Sequence, residues 1–106
     1  MTTFDERERA FEEKFKHDQD LQFRVENRRN KLLGLWIAEM IGKTGSDAED
    51  YAKEVVIADF DEPGVEDVIR KVTADLASHN VELSDHRLRK KLDELLDVAK
   101  KQVMEE

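Results

Sequence analysis

Apolar residues recur along this chain at helical spacing, and no stretch shows sustained alternation. Turn signals at Gly42-Lys43-Thr44-Gly45-Ser46, at Asp61-Glu62-Pro63-Gly64 and around Asn80 cut the pattern into four segments. The first runs from about Thr3 to Ile41 and opens with Thr3 and Glu6 at capping-box spacing. That is long for one helix, so a break is expected. His17-Asp18-Gln19-Asp20 is the place for it, having no apolar anchor and two potential N-caps. The second helix is expected to start at Ser46, since Ser46 and Glu49 repeat the capping spacing. Its inner face would be Ala48, Tyr51, Ala52 and Val55. The third is expected near Pro63, whose fixed φ suits a first helical turn. Val65, Val68, Ile69, Val72 and Leu76 form its stripe. The fourth should follow Ser84, with Leu83 and Leu88 placed as a hydrophobic staple and Leu88, Leu92, Leu95, Leu96, Ala99 and Val103 facing inward.

Leu32, Leu33, Leu35, Trp36, Ile37, Met40 and Ile41 cover most of a helix circumference. A helix apolar on nearly all sides is surrounded by others, so residues 21–41 read as a central helix. Gly34 would let another helix cross closely there. The expected fold is all-α: a compact four-helix bundle over residues 21–106, preceded by a long or broken, mobile N-terminal helical segment over residues 1–20.

Composition narrows the function classes. The 106 residues fit one domain, and 42% of them are charged, with a formal net charge of −8. An acidic balance argues against nucleic-acid binding, which needs cations to displace counterions, and against an anionic membrane surface. Leu32 to Ile41, the longest apolar stretch, is broken by Gly34 and Glu39 and is too short to span a bilayer. With no cysteine, disulfides and thiolate-bound zinc are excluded, which fits a cytoplasmic setting.

Residues 1–20 differ in kind from the rest. Their large apolar residues are Phe4, Phe11 and Phe15, which fall within an arc of about 40° on an ideal helix. Around them stand Asp5, Glu6, Arg7, Glu8, Arg9, Glu12, Glu13, Lys14 and Lys16. Acids lead and lysines follow, as the helix dipole favours, and Glu12–Lys16 has ion-pair spacing. A short charged helix with a thin aromatic stripe is marginal alone. It makes sense as a segment that folds into a partner's groove with its phenylalanines as anchors. An ordinary first helix packing Phe11 and Phe15 on its own bundle would show the same spacing.

The runs Thr3-Phe4-Asp5-Glu6-Arg7-Glu8, Ala10-Phe11-Glu12, Lys14-Phe15 and Arg28-Arg29-Asn30-Lys31-Leu32-Leu33-Gly34-Leu35-Trp36 resemble the zeta subunit family of the alphaproteobacterial F-type ATP synthase. Tyr51-Ala52-Lys53-Glu54-Val55 and Pro63-Gly64 extend the likeness. The resemblance implies a regulatory protein that is no enzyme, and a partner in the F1 sector. The inhibitory segment, roughly Thr3 to Lys16, would enter the alpha/beta catalytic interface near the gamma subunit and block ATP hydrolysis. On that reading the partner-binding residues are Phe4, Asp5, Glu6, Arg7, Glu8, Arg9, Phe11, Glu12, Glu13, Lys14 and Phe15. The free protein would be a cytoplasmic monomer, peripheral to the inner membrane when bound to the synthase, without direct membrane insertion.

Sharper chemistry finds little support. Gly42-Lys43-Thr44 resembles the tail of a P-loop, but the glycine that the motif needs five positions earlier is Ile37. Asp59 to Gly64 imitates a calcium loop whose twelfth position is Arg70 instead of glutamate. His17, His79 and His86 have no matching metal-ligand spacing. No catalytic residue, metal or cofactor is expected. The alternative is a small regulatory protein that binds adenine nucleotide in the helical domain, for which no motif speaks.

Overall fold

A computed structural model describes residues 3–59 and 64–106, with side chains from Asp5 onward. The fold is all-α. Among the described residues five helices follow one another: α1 (Thr3–His17), α2 (Gln19–Met40), α3 (Gly45–Ala58), α4 (Glu66–Ser78) and α5 (Asp85–Glu105).

The break expected near residues 17–20 is a single residue, Asp18, at φ −103° and ψ 106°. Its N–H donates to Lys14 O at 2.9 Å, closing α1, and its C=O accepts from Gln22 N at 3.0 Å, opening α2. Its carboxylate caps α2 by accepting from Leu21 N at 3.1 Å.

The other ends follow from local chemistry. Gly42, at φ 80°, closes α2 in a Schellman motif: Lys43 N donates to Ala38 O at 2.9 Å and Gly42 N to Glu39 O at 3.3 Å. Asn80, at φ 57°, does the same for α4, with Val81 N donating to Leu76 O at 2.9 Å. Two expected starts shift. Gly45, at φ 55°, turns the chain into α3 before Ser46, so the N-cap is Thr44, with no side-chain cap, and Ser46 lies inside the first turn. The third helix starts at Glu66, because Gly64 at φ 90° cannot be helical; Pro63 lies outside the described residues. Ser84 caps α5 as expected, accepting from Arg87 N at 3.1 Å.

Helix α2 lies in the middle, with each of the other four packed on it. The main core draws Leu33, Ile37 and Ala38 from α2, Tyr51 and Val55 from α3, Val68, Ile69, Val72 and Leu76 from α4, and Leu88 and Leu92 from α5. Leu83 packs against the cluster that holds Leu88, as a staple requires. Trp36 is half-buried, with Lys91 Nζ 5.1 Å from its ring centroid. Where α2 meets α3, Gly34 lies so near that a Cβ on it would be 2.6 Å from Ala52 Cα and 3.3 Å from Val55 Cβ. Only glycine permits that approach.

Polar ties fix the core's periphery. Tyr51 donates to Asp75 at 2.8 Å, and Lys71 bridges Asp75 at 2.9 Å and Glu54 at 3.3 Å. Burial and the Asp75 partner push the Tyr51 hydroxyl well above its ordinary range. Arg89 forks onto Glu66 at 2.9 and 3.2 Å, joining α5 to α4.

One buried cluster is incompletely satisfied. Arg29 and Asn30 of α2 and Asp67 of α4 are all buried, and Asp59 follows α3 beside them. Arg29 Nε donates to Asn30 Oδ1 at 3.1 Å. Asn30 Nδ2, Asp59 Oδ1 and Asp67 Oδ2 close no hydrogen bond of ordinary geometry, although the Asn30 amide is near enough to favour the Asp59 carboxylate. Burial outweighs that help and the attraction of Arg29, so Asp59 titrates above the usual carboxylate range, with Asp67 adding repulsion.

Two outcomes follow for stability. Gly34→Ala sets overpacking of roughly 1–3 kcal/mol against a helix-propensity gain of about 1 kcal/mol, so denaturant titration should show a loss of about 1 kcal/mol. A carboxyl whose folded pKa is raised costs stability once it ionises. The cost is absent below the unfolded value of about 4 and complete above the folded value. Asp59→Asn should therefore match the parent at pH 3 and exceed it progressively as pH rises from 4 toward 7, measured by unfolding at each pH.

Candidate functional site

The N-terminal helix is the most charged element and the least embedded. Its 15 residues span about 22 Å. Asp5 and Glu6 occupy the first turn, and Lys14, Lys16 and His17 the last, each sign where the dipole favours it. Asp5, Glu6, Arg7, Glu8, Arg9, Glu13 and Lys14 are exposed. Phe4 belongs to α1 by its backbone, and its side chain lies outside the described residues.

Phe11 and Phe15 stack at 6.4 Å between centroids and 15° between planes. They face inward onto a second apolar cluster formed by Leu21 and Val25 of α2 and Ala99 and Val103 of α5. The aromatic stripe therefore rests on the protein's own helices, as it would in an ordinary first helix. Yet both rings remain half-buried, and no described side chain of α1 is fully buried. Every other helix has at least three buried side chains. A surface trough of about 280 Å³ runs along the seam between Phe11 and Glu12 on one side and Lys100, Lys101 and Met104 on the other.

A few polar contacts complete the seat. Gln22 Nε2 donates to Phe15 O at 2.7 Å. Glu12 does not pair with Lys16 as its spacing suggested. It reaches Lys100 Nζ of α5 at 3.4 Å, where a half-buried position makes the attraction stronger than on the open helix face. The same ammonium stands 4.5 Å from the Phe15 ring centroid. Lys16 turns instead to Glu13 at 3.8 Å, and His17 Nε2 to the same carboxylate at 3.3 Å, both in the open. Sequence reasoning missed Lys100, because its partners lie more than eighty positions away and nothing in its local pattern sets it apart from Lys101.

Of the acidic Asp59 to Gly64 segment, residues 60–63 lie outside the described residues. Gly42-Lys43-Thr44 closes α2 and caps α3, with the Gly42 and Lys43 N–H groups engaged in the end of α2. His79 is exposed, with Nδ1 2.9 Å from Asp75 O at the end of α4. No group of three metal-capable side chains converges among the described residues. No described helix is long and apolar enough to cross a membrane.

A family model described as ATPase inhibitor subunit zeta matches residues 1–102. The chain belongs to that family. This is a family of regulatory proteins, not of enzymes, and its match takes in α1 as well as the core helices. A protein solved in solution by NMR is 50% identical, with a TM-score of 0.72 over 80% of this chain and 96% of its own. No curated protein matches the chain. Among the described residues, α1 is the helix with the largest share of exposed side chains.

The seat of α1 sets a measurable expectation. Removing a half-buried ring forfeits roughly 1–2 kcal/mol of apolar burial. In Phe15→Ala, amides of residues 5–17 should exchange faster by hydrogen–deuterium exchange, while those of α3 and α4 keep their protection.

Proposed function

We propose that this protein inhibits ATP hydrolysis by the F1 sector of F-type ATP synthase, with α1 as the effector and residues 21–106 as the positioning domain. The observation that carries the reading is the poor embedding of α1. It has two described aromatic side chains at helical spacing, no fully buried described side chain, and a one-residue connection to the rest. Among the described residues, by contrast, the buried side chains of the main core come from α2 to α5. Family membership supplies the class of activity.

On this reading α1 leaves its seat and enters the alpha/beta catalytic interface of F1, next to the gamma subunit. Phe4, Phe11 and Phe15 then fill apolar recesses. Asp5, Glu6, Arg7, Glu8, Arg9, Glu12, Glu13 and Lys14 set orientation through paired charges. Rotary catalysis opens and closes such an interface in a fixed order. A helix wedged there resists rotation in the hydrolytic direction and is expelled by rotation in the other. Undocking exposes Leu21, Val25, Ala99 and Val103, and that cost is subtracted from the affinity, which keeps inhibition reversible.

Deleting residues 1–18 tests the assignment. The truncated chain should retain helical circular dichroism and cooperative unfolding through its α2–α5 core, and should no longer suppress ATP hydrolysis by cognate F1. Full suppression by the truncated chain would place the effector elsewhere.

A further inference from the structure

We propose that Lys100 is a latch that holds α1 against the core helices and thereby sets how readily the effector is released. This rests on the reading that α1 is the effector, and concerns its regulation.

Lys100 of α5 is in polar contact with α1, and it touches two of the residues that the partner would need. Its Nζ lies 3.4 Å from Glu12 Oε2 and 4.5 Å from the centre of the Phe15 ring, with only 19% of the side chain exposed. The ammonium thus joins the charged edge of α1 to its aromatic ridge at one point. Its seclusion makes both attractions stronger than on an open surface, where salt screens them. The Gln22 bond to Phe15 O also ties α1 to the core helices, but it involves no side chain of α1.

Glu12 and Phe15 cannot face Lys100 and a partner's groove at once. Docked and partner-bound states are mutually exclusive, and the latch favours the docked one. When the competent state is a small fraction of the free protein, apparent affinity falls in proportion to that fraction. A partly secluded ion pair with a cation–π contact shifts such an equilibrium by about fivefold. Lys100 therefore restrains the inhibitor in its free state, and a change that removes its charge releases it.

The test uses the full chain with Lys100→Met, which keeps the apolar stem and removes the charge, and with Lys100→Arg, which keeps a cation. Two quantities are read: amide exchange in residues 5–17, and the concentration that half-inhibits ATP hydrolysis by cognate F1. In Lys100→Met, α1 exchange should rise about fivefold with α3 and α4 unchanged, and the half-inhibiting concentration should fall by a similar factor. Lys100→Arg should stay near the parent in both. Unchanged α1 exchange in Lys100→Met would overturn the latch. So would faster exchange without stronger inhibition, provided that the chain lacking residues 1–18 is inert. If that truncated chain inhibits fully, the effector assignment itself fails, while the exchange data still report whether Lys100 holds α1. Glu12→Lys combined with Lys100→Glu should regain α1 protection, which a merely structural role for Lys100 would not produce.

Discussion

The approach of α2 to α3 at Gly34 governs the rest of the architecture. With a hydrogen in place of a side chain, the α2 backbone comes against Ala52 Cα, and Val55 closes over the contact. That intimacy sets the plane in which α3 leaves α2. Helix α4 then covers the pair with Val68, Ile69, Val72 and Leu76, and α5 reaches the same core through Leu88 and Leu92. The far half of α5 runs on beyond this core. There Ala99 and Val103, with Leu21 and Val25 of α2, make a second, smaller apolar surface on which α1 rests.

The two clusters divide the labour. The larger is built from side chains of which Leu33, Ile37, Val55, Val68 and Val72 are wholly enclosed. The smaller is roofed by rings that stay partly exposed. Burial scales with the area removed from solvent, so the two differ in strength as they differ in completeness. Opening free energy within one molecule is uneven, and mobile functional elements come from its weak end. In this protein the less completely buried end is also the charged end, where exposed acids and bases flank the aromatic ridge of α1.

Much of this was legible in the sequence because the informative signals are local. The 3.6-residue stripes of α4 and α5, the Ser84 cap, the Gly42 and Asn80 turns and the break at Asp18 all depend on neighbours within a few positions. The helix starts at Gly45 and Glu66 were displaced because left-handed glycines overrode capping and proline signals that suggested other first turns. Long-range choices were not legible. The Glu12 carboxylate had a plausible partner four residues on, and took one on another helix. Nor could spacing tell whether Phe11 and Phe15 face the protein's own helices or another molecule, since the same arc serves both. The buried Arg29, Asn30 and Asp67 gave no sign either, because a polar residue on an apolar helix looks like surface until the packing is known.

The joint at Asp18 has one further implication. A helix turns by about 100° for each residue, so the single non-helical position fixes the angular phase between the two segments that it connects. An added or deleted residue there would swing Phe11 and Phe15 far around the axis and present charged flanks to Leu21 and Val25. The length of this joint is thus as much a part of the seat of α1 as any side chain in it: it aims the aromatic ridge.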